Sequence, residues 1–288
     1  MIAVRVPASS ANLGAGFDVL GMALSIYATV GCGPSPELAS AADERHPAAV
    51  AFRRLGGEGP LWVRSPIPMG RGLGYSGAVR VGGAAAAVVQ RDGHLSEAGK
   101  HDVLAVTAEL EHHADNVGAS IFGGVVAAVG SDGTYSVTRL ACGFSPADVP
   151  TVMAWVPEST MTSTERSRSA LPTEVTRADA VFNIGRVATF VAGWANGDVG
   201  ALRIGSEDRL HQAQRLARVP ESAEALHAAL ANGAWAAWLS GSGPTIVALC
   251  ASADAEALAR ALPSSGHVKV LAIDTSGATT VSPDQVLA

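Results

Sequence analysis

Apolar and polar positions alternate at the start of the chain, Ile2-Ala3-Val4-Arg5-Val6, which predicts a strand ended by Pro7. A second strand is predicted around 26–30, a helix over 42–56 and a short strand over 61–64. An alanine-rich stretch then predicts a helix over 75–91, followed by another over 97–112. From 121 to 141 the pattern turns to strands, with Gly130 and Gly133 marking a hairpin turn. A strand at 151–156 leads into a Ser/Thr-rich loop, and helices follow over 173–195, 198–204, 207–217 and 221–232. In the first of these, Ala178, Val181, Phe182, Gly185, Ala188 and Val191 recur at helical spacing and predict its core face. The tail reads strand (235–239), glycine turn (241–243), strand (244–250), helix (253–262) and strand (267–273). This mixture is that of a two-layered α+β protein, with a boundary expected near residue 145 that divides it into 1–145 and 146–288.

Composition narrows the classes of function. Of 288 residues, 48% are hydrophobic and 16% charged, which is ample for a core and excludes a disordered chain. The net charge is −6, and only Lys100 and Lys269 are lysines. With no basic cluster, neither nucleic acid nor an anionic membrane is an expected partner. No apolar run reaches the ~20 residues of a membrane span, and the first residues are strand-like, unlike a signal segment. Cys32, Cys142 and Cys250 fit no metal spacing and leave one over from any disulfide, as expected in a reducing compartment. The expectation is a soluble, cytoplasmic protein, with a homodimer left open.

Chemistry concentrates in three loops. Pro66-Ile67-Pro68-Met69-Gly70-Arg71-Gly72-Leu73-Gly74-Tyr75-Ser76-Gly77-Ala78 places alternate glycines before a predicted helix. Glycines let backbone approach a ligand closely, and the helix start favours phosphate. No Gly-Lys-Ser/Thr follows, so this is not a Walker A loop. Gly72-x-Gly74-x-x-Gly77 with Asp92 twenty residues on satisfies a dinucleotide fingerprint formally. That motif needs a tight strand-to-helix joint and a second strand to present the acid, and neither is predicted here. The other two loops are Pro7-Ala8-Ser9-Ser10-Ala11-Asn12-Leu13-Gly14-Ala15-Gly16-Phe17-Asp18 and Leu239-Ser240-Gly241-Ser242-Gly243-Pro244-Thr245.

Together the three loops resemble the three motifs of the GHMP kinases, named for galactokinase, homoserine kinase, mevalonate kinase and phosphomevalonate kinase. The loop at 7–18 and Glu111-His112-His113-Ala114-Asp115-Asn116-Val117 look specifically like homoserine kinase, as do Ser163-Thr164-Glu165-Arg166-Ser167-Arg168 and Asp208–Arg215. The resemblance covers most of the chain. It implies a GHMP kinase fold: an N-terminal ATP-binding domain like the second domain of ribosomal protein S5, then a ferredoxin-like C-terminal domain. It also implies transfer of the ATP γ-phosphoryl group to the hydroxyl of a small amino acid, homoserine, giving O-phosphohomoserine in threonine biosynthesis.

By the same resemblance, Pro68, Gly70, Arg71, Gly72, Leu73, Gly74, Tyr75, Ser76 and Gly77 form the ATP-phosphate loop. Ser76 and Glu111 would hold Mg²⁺, with Glu109 the alternative carboxylate. Asn12, Asp18, His113, Thr164, Arg168, Arg215 and Gly241 would bind the amino acid, Asp18 taking its ammonium and the two arginines its carboxylate. His113 and Asn116 would line the acceptor hydroxyl. Phosphoryl transfer rests on positioning and charge stabilisation, so direct attack is expected, with Asp115 the one carboxylate placed as a base. The chain departs from the family pattern at Tyr75, where serine is usual, and at Ala114 and Gly118-Ala119; the stretch between Val30 and Leu61 is short. Such departures leave two alternatives, a kinase of another hydroxy amino acid and a GHMP-fold protein that only binds ligand. His46, His94 and His267 belong to no motif.

Overall fold

The computed structural model describes residues 1–158, 167–169 and 171–282. The first half runs β1 (Ile2–Ala11), β2 (Leu20–Cys32), β3 (Ser40–Ala42), α1 (Pro47–Arg54), β4 (Leu61–Arg64), α2 (Tyr75–Asp92), α3 (Glu97–Glu111), α4 (Asp115–Phe122), β5 (Val125–Ser131) and β6 (Thr134–Arg139). The second runs β7 (Thr151–Pro157), α5 (Arg177–Asn196), α6 (Val199–Gly205), α7 (Gln212–Leu216), α8 (Pro220–Ala231), β8 (Ala236–Leu239), β9 (Ile246–Cys250), α9 (Ala255–Ala261), β10 (Gly266–Leu271) and β11 (Thr279–Thr280). Every strand pairing among the described residues is antiparallel. Residues 65–74 separate β4 from α2. A parallel dinucleotide-binding unit is thereby excluded.

The first sheet has the order β11-β1-β2-β4-β3, with β5 on the leading half of β2 and β6 outside it. Pro7 does not end β1. The ladder shifts register between Pro7 and Ala8, opposite Tyr27 and Leu24, so the missing proline N–H falls at a bulge. The bulge leaves Ser25 free to bind the chain's end: its N–H donates to the Ala272 carbonyl and its hydroxyl accepts from Ala272 N–H. β11 then adds to β1, so this sheet takes strands from both ends of the chain.

Alanine, glycine and valine make α2 thin enough to lie buried from Gly77 to Val88, Arg80 excepted, between the sheet and α1. The stretch read as strand from residue 121 begins instead inside α4, whose buried face is built from Val117, Ala119 and Ile121. Ile121, the β-branched residue that opens that stretch, packs inward from a short helix, which is tertiary context overriding propensity.

The second sheet has the order β10-β7-β9-β8, and the progression strand, helices, strand, strand, helix, strand is the ferredoxin-like arrangement expected. Alternation splits its faces. Val152, Ala154, Trp238 and Val247 join the main core, whereas Met153, Trp155, Leu239 and Ile246 pack with Ala225 and Leu226 of α8 and Leu258 of α9. The face predicted for α5 is rotated: Val181 is 63% exposed, and Ala178, Gly185 and Ala188 are exposed with it. Val191 packs partly buried on the core, and Asn183, Phe190 and Trp194 are buried. The predicted stripe counted Ala178, Gly185 and Ala188 as apolar, but these bury little area, and Phe190 and Trp194 decide the orientation. No described helix is long and apolar enough to cross a membrane.

The two halves meet at a buried hydroxyl pair. Trp238 Nε1 donates to Ser10 Oγ at 2.9 Å, the Ser10 and Ser240 hydroxyls lie 2.8 Å apart, and Ser240 Oγ donates to the Gly72 carbonyl at 2.6 Å. With one proton each, the hydroxyls order as a relay from Trp238 through Ser10 and Ser240 to Gly72. Trp238→Phe keeps the ring and removes the first donor. We expect a loss of about 1–3 kcal/mol, read as a lower urea midpoint at unchanged slope; an unchanged midpoint would show that this bond adds nothing.

Candidate active site

The three loops picked out in the sequence converge on one cleft of about 230 Å³. Backbone bonds fasten them to one another: Ser9 N–H to Leu73 O, Gly241 N–H to Ala11 O and Thr245 N–H to Arg71 O. Gly72 (φ +77°) passes so close to the third loop that a Cβ there would lie 2.3 Å from the Ser240 carbonyl oxygen. Gly74 is the left-handed N-cap of α2 and offers no side-chain acceptor, so the first amides of the helix keep no internal partner. Such amides, at the positive end of a buried 18-residue helix, form an anion site.

At this end Ser76 Oγ donates to Glu111 Oε1 at 2.6 Å. Glu111 is the last residue of α3, and His112 behind it takes a left-handed conformation that turns the chain into the cleft. Arg80 Nε donates to the same carboxylate oxygen. Glu109 points away and pairs with Arg54 at the surface. Of the two carboxylates considered, only Glu111 therefore faces Ser76. Tyr75 sends its ring toward α1, packing on the core with its hydroxyl 3.5 Å from His46 Nε2. His46 Nδ1 accepts from Ala48 N–H as the cap of α1, so the ring proton sits on Nε2. Burial lowers the His46 pKa, with Arg80 adding to the effect against Asp43, and burial raises that of Tyr75. His46, left out of every motif, is thus a neighbour of the glycine loop.

At the other end Asp18 and Arg168 form a two-pronged ion pair at 2.7 and 2.8 Å across 150 residues of sequence. Arg215 is 5% exposed, with Nη1 donating to Gly241 O at 3.1 Å and to His211 Nδ1 at 3.2 Å, while its Nε has no partner among the described residues. Beneath it Asp208 accepts from Asn183 Nδ2 and from the amides of Leu210, His211 and Gln212, fixing the start of α7. Asn12 spends its amide group on the loop, donating to Gly241 O and accepting from Asp18 N–H. His113 Nδ1 bonds Asp115 Oδ1 at 2.7 Å, and the same oxygen accepts from Asn116 N–H. Burial presses the His113 pKa down, but the Asp115 hydrogen bond and charge, with Asp18 and Glu111 behind, outweigh it and hold the pKa above its usual value.

The cleft lining brings together Asn12, Asp18, Pro68, Gly70, Gly72, Gly74, Tyr75, Ser76, Gly77, Glu111, His113, Asp115, Asn116, Arg168, Arg215 and Gly241, joined by Ala11 and Ser242. Two members of the expected set lie elsewhere. Leu73 is fully buried in the core, and the Arg71 guanidinium reaches the carbonyls of Pro157 and Glu158. Thr164 lies outside the described residues. Arg80 escaped notice although it is the lone charge within the apolar run 75–90, one turn beyond Ser76, a pattern that marks a paired, purposeful charge. Ser10 and Ser240 carried no signal beyond their motifs.

Residues 41–124 match the family model for the GHMP kinases N terminal domain and residues 191–268 that for GHMP kinases C terminal. A homoserine kinase from Desulfitobacterium hafniense is 37% identical over 98% of this chain and 100% of the relative. Another, from Thermus thermophilus, is 39% identical over 89% of each chain. The crystal structure of homoserine kinase from Cytophaga hutchinsonii superimposes with a TM-score of 0.82 at 27% identity, covering 97% of both chains. A mevalonate kinase structure, 12% identical with a TM-score of 0.68, covers 96% of this chain and 100% of its own and shares the fold alone.

The His113–Asp115 pair predicts a titration. A histidine pKa raised by folding gives stability that is full below the unfolded value of about 6.5 and fades as pH rises through the folded value. In Asp115→Asn the burial effect stands unopposed by that carboxylate, and the His113 midpoint should fall below its wild-type value. Histidine-ring NMR titration of the two proteins checks this; equal midpoints would mean that Asp115 does not hold the proton on His113.

Proposed function

We infer the reaction from kinship and geometry together: the chain belongs to the homoserine kinase family of the GHMP kinases, and it moves the γ-phosphoryl group of ATP onto the side-chain hydroxyl of L-homoserine. The product is O-phospho-L-homoserine, a step of threonine biosynthesis. The observation that carries this reading is the facing of two charged ends in one cleft: an uncapped helix start beside Ser76 and Glu111, and Asp18 with Arg168 and Arg215. A triphosphate suits the first and a zwitterionic amino acid the second.

Asp18 and Arg168 hold each other. A zwitterion replaces that pair charge for charge, its ammonium taking Asp18 and its carboxylate taking Arg168 and Arg215, whose planar forks suit a carboxylate. The acceptor hydroxyl then lies by His113 and Asn116. Its oxygen attacks the γ-phosphorus in line while the bond to the β–γ bridging oxygen breaks and ADP leaves. The hydroxyl proton passes to an oxygen of the transferred phosphoryl group and then to solvent. Asp115 is a poor base here, because its Oδ1 already accepts from His113 and Asn116 N–H. Direct attack fits, since a loose transition state asks for positioning and charge stabilisation.

The donor set at Ser76 and Glu111 fits Mg²⁺: two oxygens 2.6 Å apart beside the phosphate amides, with no larger ligand cluster among the described residues. Such a site takes its remaining ligands from nucleotide phosphates and water. When bound, Mg²⁺ neutralises charge on the β- and γ-phosphates. Arg80 holds Glu111 in place and balances its charge from behind. We keep a division near residue 145 between a nucleotide-binding part and a C-terminal part. Three free cysteines, two of them buried, support a cytoplasmic location.

ADP release across homoserine, threonine, serine, shikimate and mevalonate tests the reading. Homoserine should turn over fastest, while shikimate and mevalonate, carboxylates without an ammonium, leave Asp18 and Arg168 paired and should be inert. In Arg168→Ala the KM for homoserine should rise about 10–150-fold, one lost charge-assisted contact, with the KM for ATP nearly unchanged. Equal rises in both constants would place Arg168 at the phosphates, and a preference for another acceptor would overturn the assignment of homoserine.

A further inference from the structure

Phe17 lies between Gly16 and the ion-paired Asp18, half-buried beside the two arginines that line the cleft. Both arginines of that end come to its ring: the guanidinium carbon of Arg168 is 5.5 Å from the ring centroid and that of Arg215 is 5.2 Å. Each is within the ~6 Å at which the ring quadrupole attracts a cation. The His211 ring packs on the same phenyl at 5.2 Å between centroids. His211 Nε2 lies 2.8 Å from the Gly14 carbonyl, which only accepts, so the proton sits on Nε2 and Nδ1 is left to accept from Arg215.

Two guanidinium groups brought to one place repel each other; Asp18 pairs with Arg168, Asp115 attracts both, and Asp208 attracts Arg215. Asp208 is spent on Asn183 and the amides of α7, and Asp115 on His113. The phenyl face favours both positive charges together before the acceptor carboxylate arrives to pair with them. A purely apolar side chain of similar size fills the space and supplies none of that attraction. Among the described residues Arg215 Nε has no partner, and Nη1 carries the two directional contacts of the side chain.

We propose that Phe17 is a positioning residue for the acceptor: its ring face holds Arg168 and Arg215 in the arrangement that receives the amino-acid carboxylate. This rests on the homoserine kinase reading above, deepening it to the selection of α-amino-acid carboxylates. Phe17→Leu removes the quadrupole and keeps most of the volume, whereas Phe17→Tyr keeps both.

The test compares these two variants with a series in which 4-fluoro-, 3,5-difluoro- and 3,4,5-trifluorophenylalanine stand at position 17. Phe17→Leu should raise the homoserine KM about 5–30-fold, the loss of two ring–cation contacts, with kcat and the ATP KM changed less than about twofold. Phe17→Tyr should restore the wild-type value, and KM should climb stepwise with each added fluorine. A flat fluorine series, or a rise in both KM values together, would overturn the proposal and leave Phe17 a packing residue. The side-chain Nε–H resonances of Arg168 and Arg215 give a reading without substrate. They should carry a ring shift in the wild type that Phe17→Leu abolishes; resonances unmoved by that change would overturn the proposal whatever the acceptor. A wild type that ignores homoserine, yet shows the ring shift, would sink the functional reading alone.

Discussion

Three loops separated by some 230 residues of sequence make one site because they share a buried chain of hydrogen bonds. Trp238 N–H, the hydroxyls of Ser10 and Ser240, and the Gly72 carbonyl form it, and each loop contributes a member. A buried polar network is favourable only when every group in it is satisfied, and then it rigidifies what it joins. Fastened at Gly72, the glycine loop is held at the mouth of α2 before any phosphate arrives. That close approach explains the glycine as well as ligand binding does, because a side chain there would strike the Ser240 backbone. The phosphate loop is thus part of the joint between the two halves of the molecule.

A second constraint is electrostatic. The cleft carboxylates Asp18, Glu111 and Asp115 are each matched to a cation: Asp18 to Arg168 and Glu111 to Arg80 from distant parts of the chain, and Asp115 to His113 two residues before it. Half-buried charges without partners are costly, so the pairs keep the cleft stable while storing the polarity that chemistry needs. A zwitterion answers Asp18 and Arg168 with its own two charges. At Glu111 the charged partner is a guanidinium on the same helix as Ser76, which keeps the carboxylate aimed. Preorganised charge of this kind stabilises a transition state without reorganising during the reaction.

Much of this was legible in the sequence because the glycine, hydroxyl and charged residues cluster in short ordered runs, and those runs define loops irrespective of the elements around them. The order strand, turn, strand, helix, strand of the tail was legible from its pattern, and the family resemblance supplied the ferredoxin-like arrangement. What failed did so for physical reasons. Pro7 looked like a stop, yet its missing donor falls where β1 and β2 slip register. The strand read from residue 121 begins one turn too early, because Ile121 is β-branched yet packs from the end of a helix. In α5 the small residues disguised which stripe buries area. Arg80 and His46 act through contacts across 31 and 29 residues of sequence, which local pattern does not reveal.

A structure of the protein crystallised with Mg²⁺, a non-hydrolysable ATP analogue and homoserine bears most directly on the claim that a prebuilt three-loop joint receives both substrates. The triphosphate should lie along residues 72–77 at the start of α2, and the amino acid should part Asp18 from Arg168 by taking one with each of its charges. The contact between Ser240 and Gly72 should be unchanged. An amino acid bound elsewhere with Asp18 and Arg168 still paired, or a glycine loop that leaves Ser240 to reach the nucleotide, would contradict the account.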